Sequence, residues 1–105
     1  EISLLHNIVP SQRASYVEGL YSRLNKNGKL MICCFSDQEL IFGGKKIYLD
    51  AQTGNTMYPL SKKEIIDLFS KYFYIEKLKK VFLGRKGKRR RERFLCLMIK
   101  KDNIS

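Results

Sequence analysis

The sequence predicts an α/β fold of two main helices and three strands, ending in an antiparallel β-hairpin. Three observations carry this. An amphipathic stretch leads through Asn25-Lys26-Asn27-Gly28 into an unbroken apolar run, Lys29 to Phe35. A second helix is announced by Ser61-Lys62-Lys63-Glu64. Two strand-like segments then flank a basic, glycine-containing turn. Helix, glycine turn and buried strand make half of a βαβ unit.

Taken in order, residues Glu1 to Val9 are mostly apolar and read as a strand end or a loop leading into a helix. Ser11 stands as a good N-cap, and Ala14, Tyr16, Val17, Leu20, Tyr21 and Leu24 recur at three- and four-residue spacing. This predicts a helix from about Gln12 to Lys26. Gly28 is the residue expected to take the left-handed conformation that closes it. Lys29 to Phe35 lacks alternation, as a strand buried on both faces would. If it is a central parallel strand, one of its edges is expected to pair with a strand lying before Glu1.

Residues 36–60 form a long, lid-like connection, with turn signals at Phe42-Gly43-Gly44 and Gln52-Thr53-Gly54-Asn55 and a possible short strand at Lys45 to Leu49. Long irregular connections of this kind are often lids or binding loops. Ser61 and Glu64 then have the spacing of a capping box. Ile65, Leu68, Phe69, Tyr72 and Phe73 form one stripe of a helix running to Lys71 or Tyr72. Tyr74 to Leu83 reads as a half-exposed strand, Gly84 to Arg91 as a basic turn, and Arg93 to Lys100 as a more buried strand. The tail from Lys101 to Ser105 is polar and expected to fray.

Composition narrows the function classes. Hydrophobic residues make up 44 % and charged residues 30 %, which excludes a collagen-like or low-complexity chain. No window approaches the roughly 20 apolar residues of a membrane-spanning helix. The formal net charge of +11 favours anionic partners. It is unevenly placed: seven of the 21 basic residues lie between Arg85 and Arg93. The three cysteines, Cys33, Cys34 and Cys96, are odd in number and no signal peptide precedes them, which points to reduced thiols in a cytoplasmic compartment. Their spacing suits neither a zinc site nor a redox motif, so no metal is expected.

Order and residues together resemble the C-terminal half of a class I S-adenosylmethionine (SAM)-dependent methyltransferase, a Rossmann-like sheet that closes with an antiparallel hairpin. Ser3-Leu4-Leu5-His6-Asn7-Ile8 resembles the family's loop after its fourth strand. Pro10-Ser11-Gln12-Arg13, with Tyr16 and Leu20 to Leu24, is similar to the helix that follows. Leu24-Asn25-Lys26-Asn27-Gly28-Lys29-Leu30 resembles the L-K-P-G-G-x-L run into the fifth strand, with Asn27 where Gly is usual. Gly54 to Ser61 resembles the G-P-P-x-x-x-S run of thiopurine-methyltransferase-like members, without its two prolines. The glycine-rich turn and the strand-ending acidic residue that hold SAM in this family have no counterpart here.

The resemblance implies a single partial domain over residues 1–105, part of an enzyme that methylates a small-molecule acceptor with SAM. Alone, the chain is expected to be inactive. Leu4, Leu5 and His6 would border the cofactor. His6, the single histidine, would orient or deprotonate the acceptor, or else cap its own loop. Arg13, Ser36, Asp37, Tyr48 and Tyr58 are the implied substrate-binding residues, with Met57 beside them. The implied partners are the N-terminal half of the enzyme, or a second copy, across an open sheet edge. An alternative is a small basic module that binds RNA or DNA through Arg85, Lys86, Lys88, Arg89, Arg90 and Arg91. That run has no interleaved aromatic residue for base stacking, and it also fits a solvated turn.

Overall fold

Helices on one side of a four-stranded sheet make up the frame seen in the computed structural model, which describes residues 2–3, 5–39, 42–49, 54–83 and 91–102. In chain order the elements are β1 (Ile2–Ser3), α1 (Arg13–Arg23), β2 (Lys29–Phe35), β3 (Tyr48–Leu49), β4 (Thr56–Met57), α2 (Lys62–Phe69), β5 (Phe73–Leu83) and β6 (Arg91–Lys100). Short 3-10 turns occupy Leu5–Asn7 and Pro10–Gln12. The main sheet has the order β1-β2-β6-β5, and β3 with β4 forms a separate two-stranded ribbon. The α/β class and the closing antiparallel pair are as the sequence predicts. The described residues hold six strands, not three, because the additional ones are two residues long and carry no readable periodicity.

β1 pairs with β2 in parallel, Ile2 opposite Met31 and Ser3 opposite Ile32. The neighbour of β2 on that side is therefore this chain's own first residues, not a strand before Glu1. β2 is an interior strand, antiparallel to β6 on its other side from Lys29 opposite Ile99 to Phe35 opposite Arg93. It is not buried on both faces. Leu30, Ile32 and Cys34 are buried, while Met31 and Cys33 are half-buried. Along β6, Phe94, Cys96 and Met98 are buried in the same alternation.

The core lies between these residues and the helices. Val17 and Leu20 of α1, Ile65 and Phe69 of α2, and Leu5 and Phe73 pack against Leu30, Ile32, Cys34, Phe94, Cys96 and Met98. Fully burying side chains of this size stabilises by about 1.5–3 kcal/mol each. β5 carries a bulge between Ile75 and Lys77, which inserts Glu76. The extra residue resets the alternation so that Leu78 falls opposite buried Cys96, as Ile75 falls opposite Met98.

Both helices begin and end near their expected limits, with instructive departures. α1 starts at Arg13 behind a 3-10 turn, and its N-cap position is Gln12, which makes no side-chain cap bond. Ser11 lies within that turn and does not cap. α1 ends at Arg23 instead of Lys26. The left-handed residue after it is Asn27, with φ of 61°, and not Gly28. Gly28 is needed for a different reason: a Cβ there would stand 2.8 Å from the Asn25 carbonyl oxygen. The Gly28 carbonyl accepts from Lys100 N at 2.8 Å and so fastens the turn to the end of β6.

α2 has the capping box that Ser61 and Glu64 imply. Glu64 N donates to Ser61 Oγ at 3.1 Å, and Ser61 N donates to Glu64 Oε1 at 3.0 Å. The helix stops at Phe69, where a turn leads into β5. Lys101, expected in a frayed tail, is held: its N–H reaches the Tyr72 carbonyl at 3.0 Å and its carbonyl accepts from the Tyr21 hydroxyl at 3.0 Å.

Candidate functional site

The carboxyl ends of the parallel strands β1 and β2 lie side by side, and the residues that follow them converge. In open α/β sheets this is where ligands bind. Leu5 to Asn7 leave β1 as a 3-10 turn, and Ser36 follows β2. Residue 60 returns to this point. Leu60 N donates to the Phe35 carbonyl at 3.1 Å, and Asp37 N donates to the Leu60 carbonyl at 2.9 Å. The connection that leaves β2 at Ser36 therefore comes back to the same place, with the ribbon of β3 and β4 inside it.

His6 sits at the junction. Its side chain is buried, and Nδ1 accepts the Phe35 N–H at 3.2 Å. That bond requires the neutral ring with its proton on Nε2. Burial, assisted by the Arg93 guanidinium, pulls the ring's pKa down from 6.5 to about 4. At neutral pH His6 is therefore an uncharged acceptor. Its own carbonyl accepts from Tyr58 N at 2.6 Å, which fastens the returning segment to the turn after β1.

An aromatic series continues from this ring. His6 meets Phe35 edge-on with centroids 4.7 Å apart, Phe35 meets Phe42 at 5.5 Å, and Phe42 meets Tyr48 at 5.2 Å. Such pairs add to burial a geometry-dependent attraction of about 0.5–1.5 kcal/mol. Tyr48 thereby serves as the outer end of a packed row.

Arg13 is buried, and its guanidinium is engaged within the chain. One terminal nitrogen donates to the Tyr58 carbonyl at 2.7 Å and the other to Glu64 Oε2 at 3.2 Å. The start of α1, the returning segment and the cap of α2 are thus joined through one side chain. Arg13 Nε is buried without a partner.

Ser36 is also buried. Its hydroxyl donates to Glu92 Oε2 at 2.6 Å and accepts from Gln38 N at 3.0 Å. Glu39, again buried, accepts from Glu92 N at 3.1 Å and pairs with Arg91 at 3.7 Å. Sequence reasoning singled out neither Glu39 nor Glu92. The signal available for Glu92 was its position as the one acidic residue in the run from Arg85 to Arg93.

The other candidate positions separate. Leu5 is wholly buried in the core, and Leu4 lies outside the described residues. Asp37 is half-buried beside Ser36, and Met57 is half-buried in β4. Of the basic run, Arg85, Lys86, Lys88, Arg89 and Arg90 lie outside the described residues. Arg91 faces Glu39, and Arg93 lies 4.4 Å from the Phe35 ring centroid in a cation–π contact. The thiols of Cys34 and Cys96 are pushed up to about 12 and about 11, both foremost by burial, and so stay protonated. Among the described residues no group of three or more His, Cys, Asp or Glu side chains is placed to hold a metal ion. No described helix is long and apolar enough to cross a membrane.

A cleft of about 330 Å³ lies beside this junction. Its walls are Asn7 and Val9 from the segment after β1, and Asn55, Thr56 and Tyr58 from β4 and its flanks.

No family model matches the sequence, and no curated protein does. Among solved structures, a SAM-dependent methyltransferase from Methanosarcina mazei superposes with a TM-score of 0.76 at 14 % identity. The match covers 95 % of this chain and 57 % of that one. The chain thus has a methyltransferase-like fold and spans little more than half the length of that neighbour.

Proposed function

We propose that this chain forms the C-terminal half of a SAM-dependent methyltransferase domain that acts on a small-molecule acceptor. The observation that carries the reading is the strand order β1-β2-β6-β5, parallel at its first pair and antiparallel thereafter, on a backbone that follows a methyltransferase over 95 % of its length. Among the described residues β1 has a neighbour on one side only. In this reading its other edge receives the rest of the sheet, supplied by the N-terminal half, and the acceptor lies at the carboxyl ends of β1 and β2.

Leu5 and His6 are buried, and neither offers an exposed group for a ribose or a methionine carboxylate. In the whole enzyme SAM supplies an electrophilic methyl group with a good leaving group. What this half contributes is position: a turn after β1 held by His6, and a returning segment held by Arg13 and Leu60. Placing an acceptor in line with an activated methyl accounts for much of such a reaction's acceleration.

Calorimetry tests the reading. The 105-residue chain is expected to give no heat with SAM. A form that also carries the N-terminal half is expected to bind SAM with micromolar affinity. Tight binding by this chain alone, or none by the longer form, overturns the proposal.

A further inference from the structure

We propose that the cleft between the turn after β1 and β4 is the acceptor subsite, and that it takes an uncharged small molecule bearing hydrogen-bonding groups. This rests on the methyltransferase reading and adds the chemical class of the acceptor.

The argument begins with charge. The chain carries a net charge of +11, yet among the described residues lining the cleft there is no Asp, Glu, Lys, Arg or His. Asn7 supplies an amide and Thr56 a hydroxyl, Val9 an apolar wall and Tyr58 a phenol ring, and Asn55 completes the lining. The nearest cation along the chain from Val9, Arg13, is buried and held by the Tyr58 carbonyl and Glu64. The His6 ring next to Asn7 is neutral and turned to the Phe35 N–H. An anionic or cationic ligand entering the cleft would lose water without gaining a counter-charge, which is unfavourable. A neutral ligand would exchange water for the Asn7 amide and the Thr56 hydroxyl at little loss.

Size and construction point the same way. The cleft's volume of about 330 Å³ lies at the lower end of small-molecule sites, enough for a single substituted ring. Its two walls come from segments far apart in sequence, and the bond from Tyr58 N to the His6 carbonyl at 2.6 Å holds them together. The cleft is therefore a product of the tertiary fold at the strand ends, where the chemistry of this fold class takes place.

Three probes of one shape and different charge test the inference on the full chain: benzamide, benzoate and benzylammonium. Binding is followed by protein NMR at pH 7.5 in moderate salt. Benzamide is expected to shift the amide signals of Asn7, Thr56 and Tyr58 and to bind at least fivefold more tightly than either charged probe. Thr56→Val and Asn7→Ala, both at accessible positions, are expected to weaken benzamide at least threefold while signals from α1 and β6 stay in place. Equal or tighter binding of benzoate overturns the inference. So does benzamide binding elsewhere, or not at all. SAM calorimetry on the longer form keeps the two claims apart. SAM binding with an unselective cleft removes the acceptor assignment alone, whereas a selective cleft without SAM binding leaves a neutral-ligand site and removes the methyltransferase reading.

Discussion

The two faces of the main sheet are built from alternate residues of the same strands and have opposite fates. On one face Leu30, Ile32, Cys34, Phe94, Cys96 and Met98 are at most 3 % exposed beneath α1 and α2. On the other, Met31, Cys33, Leu95, Leu97 and Ile99 are only half-buried, although they are just as apolar. The strands therefore carry more apolar surface than the chain's own helices cover. An α/β sheet with helices on both faces has this composition, which is what the proposed whole domain requires.

The sharpest way to break this comparison is to truncate one large side chain on each face. Phe69→Ala removes a wholly buried ring from α2 and is expected to cost about 3–5 kcal/mol. Leu97→Ala, on the half-buried face, is expected to cost about 1 kcal/mol or less. Urea denaturation of the two variants checks this, and equal losses would refute the asymmetry. The same Leu97 variant in a domain with both faces covered is expected to lose more.

The next effect is pH-dependent and concerns the edge where the covered face meets the site. The pKa of His6 is about 4 in the folded chain and 6.5 when exposed, so protonation favours unfolding. Its contribution is complete above pH 6.5 and declines as the pH falls toward 4, with a limiting slope of about 1.4 kcal/mol per unit. Denaturant titrations at intervals across that range are expected to show the decline in the native chain. They are expected to show a flatter profile in His6→Gln.

Smaller effects come from the ties that hold the helices over the covered face. Arg13→Met keeps the bulk of the side chain but leaves the Tyr58 carbonyl without its donor, for an expected loss of about 2 kcal/mol. The denaturation midpoint checks it, and an unchanged midpoint would show that the tie is dispensable. Ser61→Ala removes the capping box of α2 and is expected to cost about 1 kcal/mol. Ser11→Ala, at a serine that does not cap, is expected to leave stability unchanged within about 0.5 kcal/mol. The pair is read out by thermal melting.

Local chemistry explains which of these features could be read in advance. Ser61 and Glu64 sit three residues apart, and a capping box needs nothing else, so the start of α2 was legible. Ser11 has the right side chain, but Pro10 opens a 3-10 turn around it, and α1 begins two residues later. The apolar run from Lys29 to Phe35 announced a strand, but its residues do not say which face the helices cover. His6 and Ser36 were singled out as site candidates because they follow strand ends, and Tyr58 because it is an aromatic residue of the long connection. Glu39 and Glu92 were not, because each acquires its role only through a partner more than fifty residues away.

What the sequence determined by itself is the order of the two helices and the three long strands and the cap of α2, since these depend on neighbours within a few residues. The tertiary structure alone decided that Ile2 and Ser3 pair with β2, that Arg13 is drawn into the protein, and that Asn7 and Thr56 face one cleft. Each of those outcomes joins segments tens of residues apart, and no local pattern encodes such a meeting. It follows from packing, from the need to pair buried polar groups, and from the single arrangement that satisfies both.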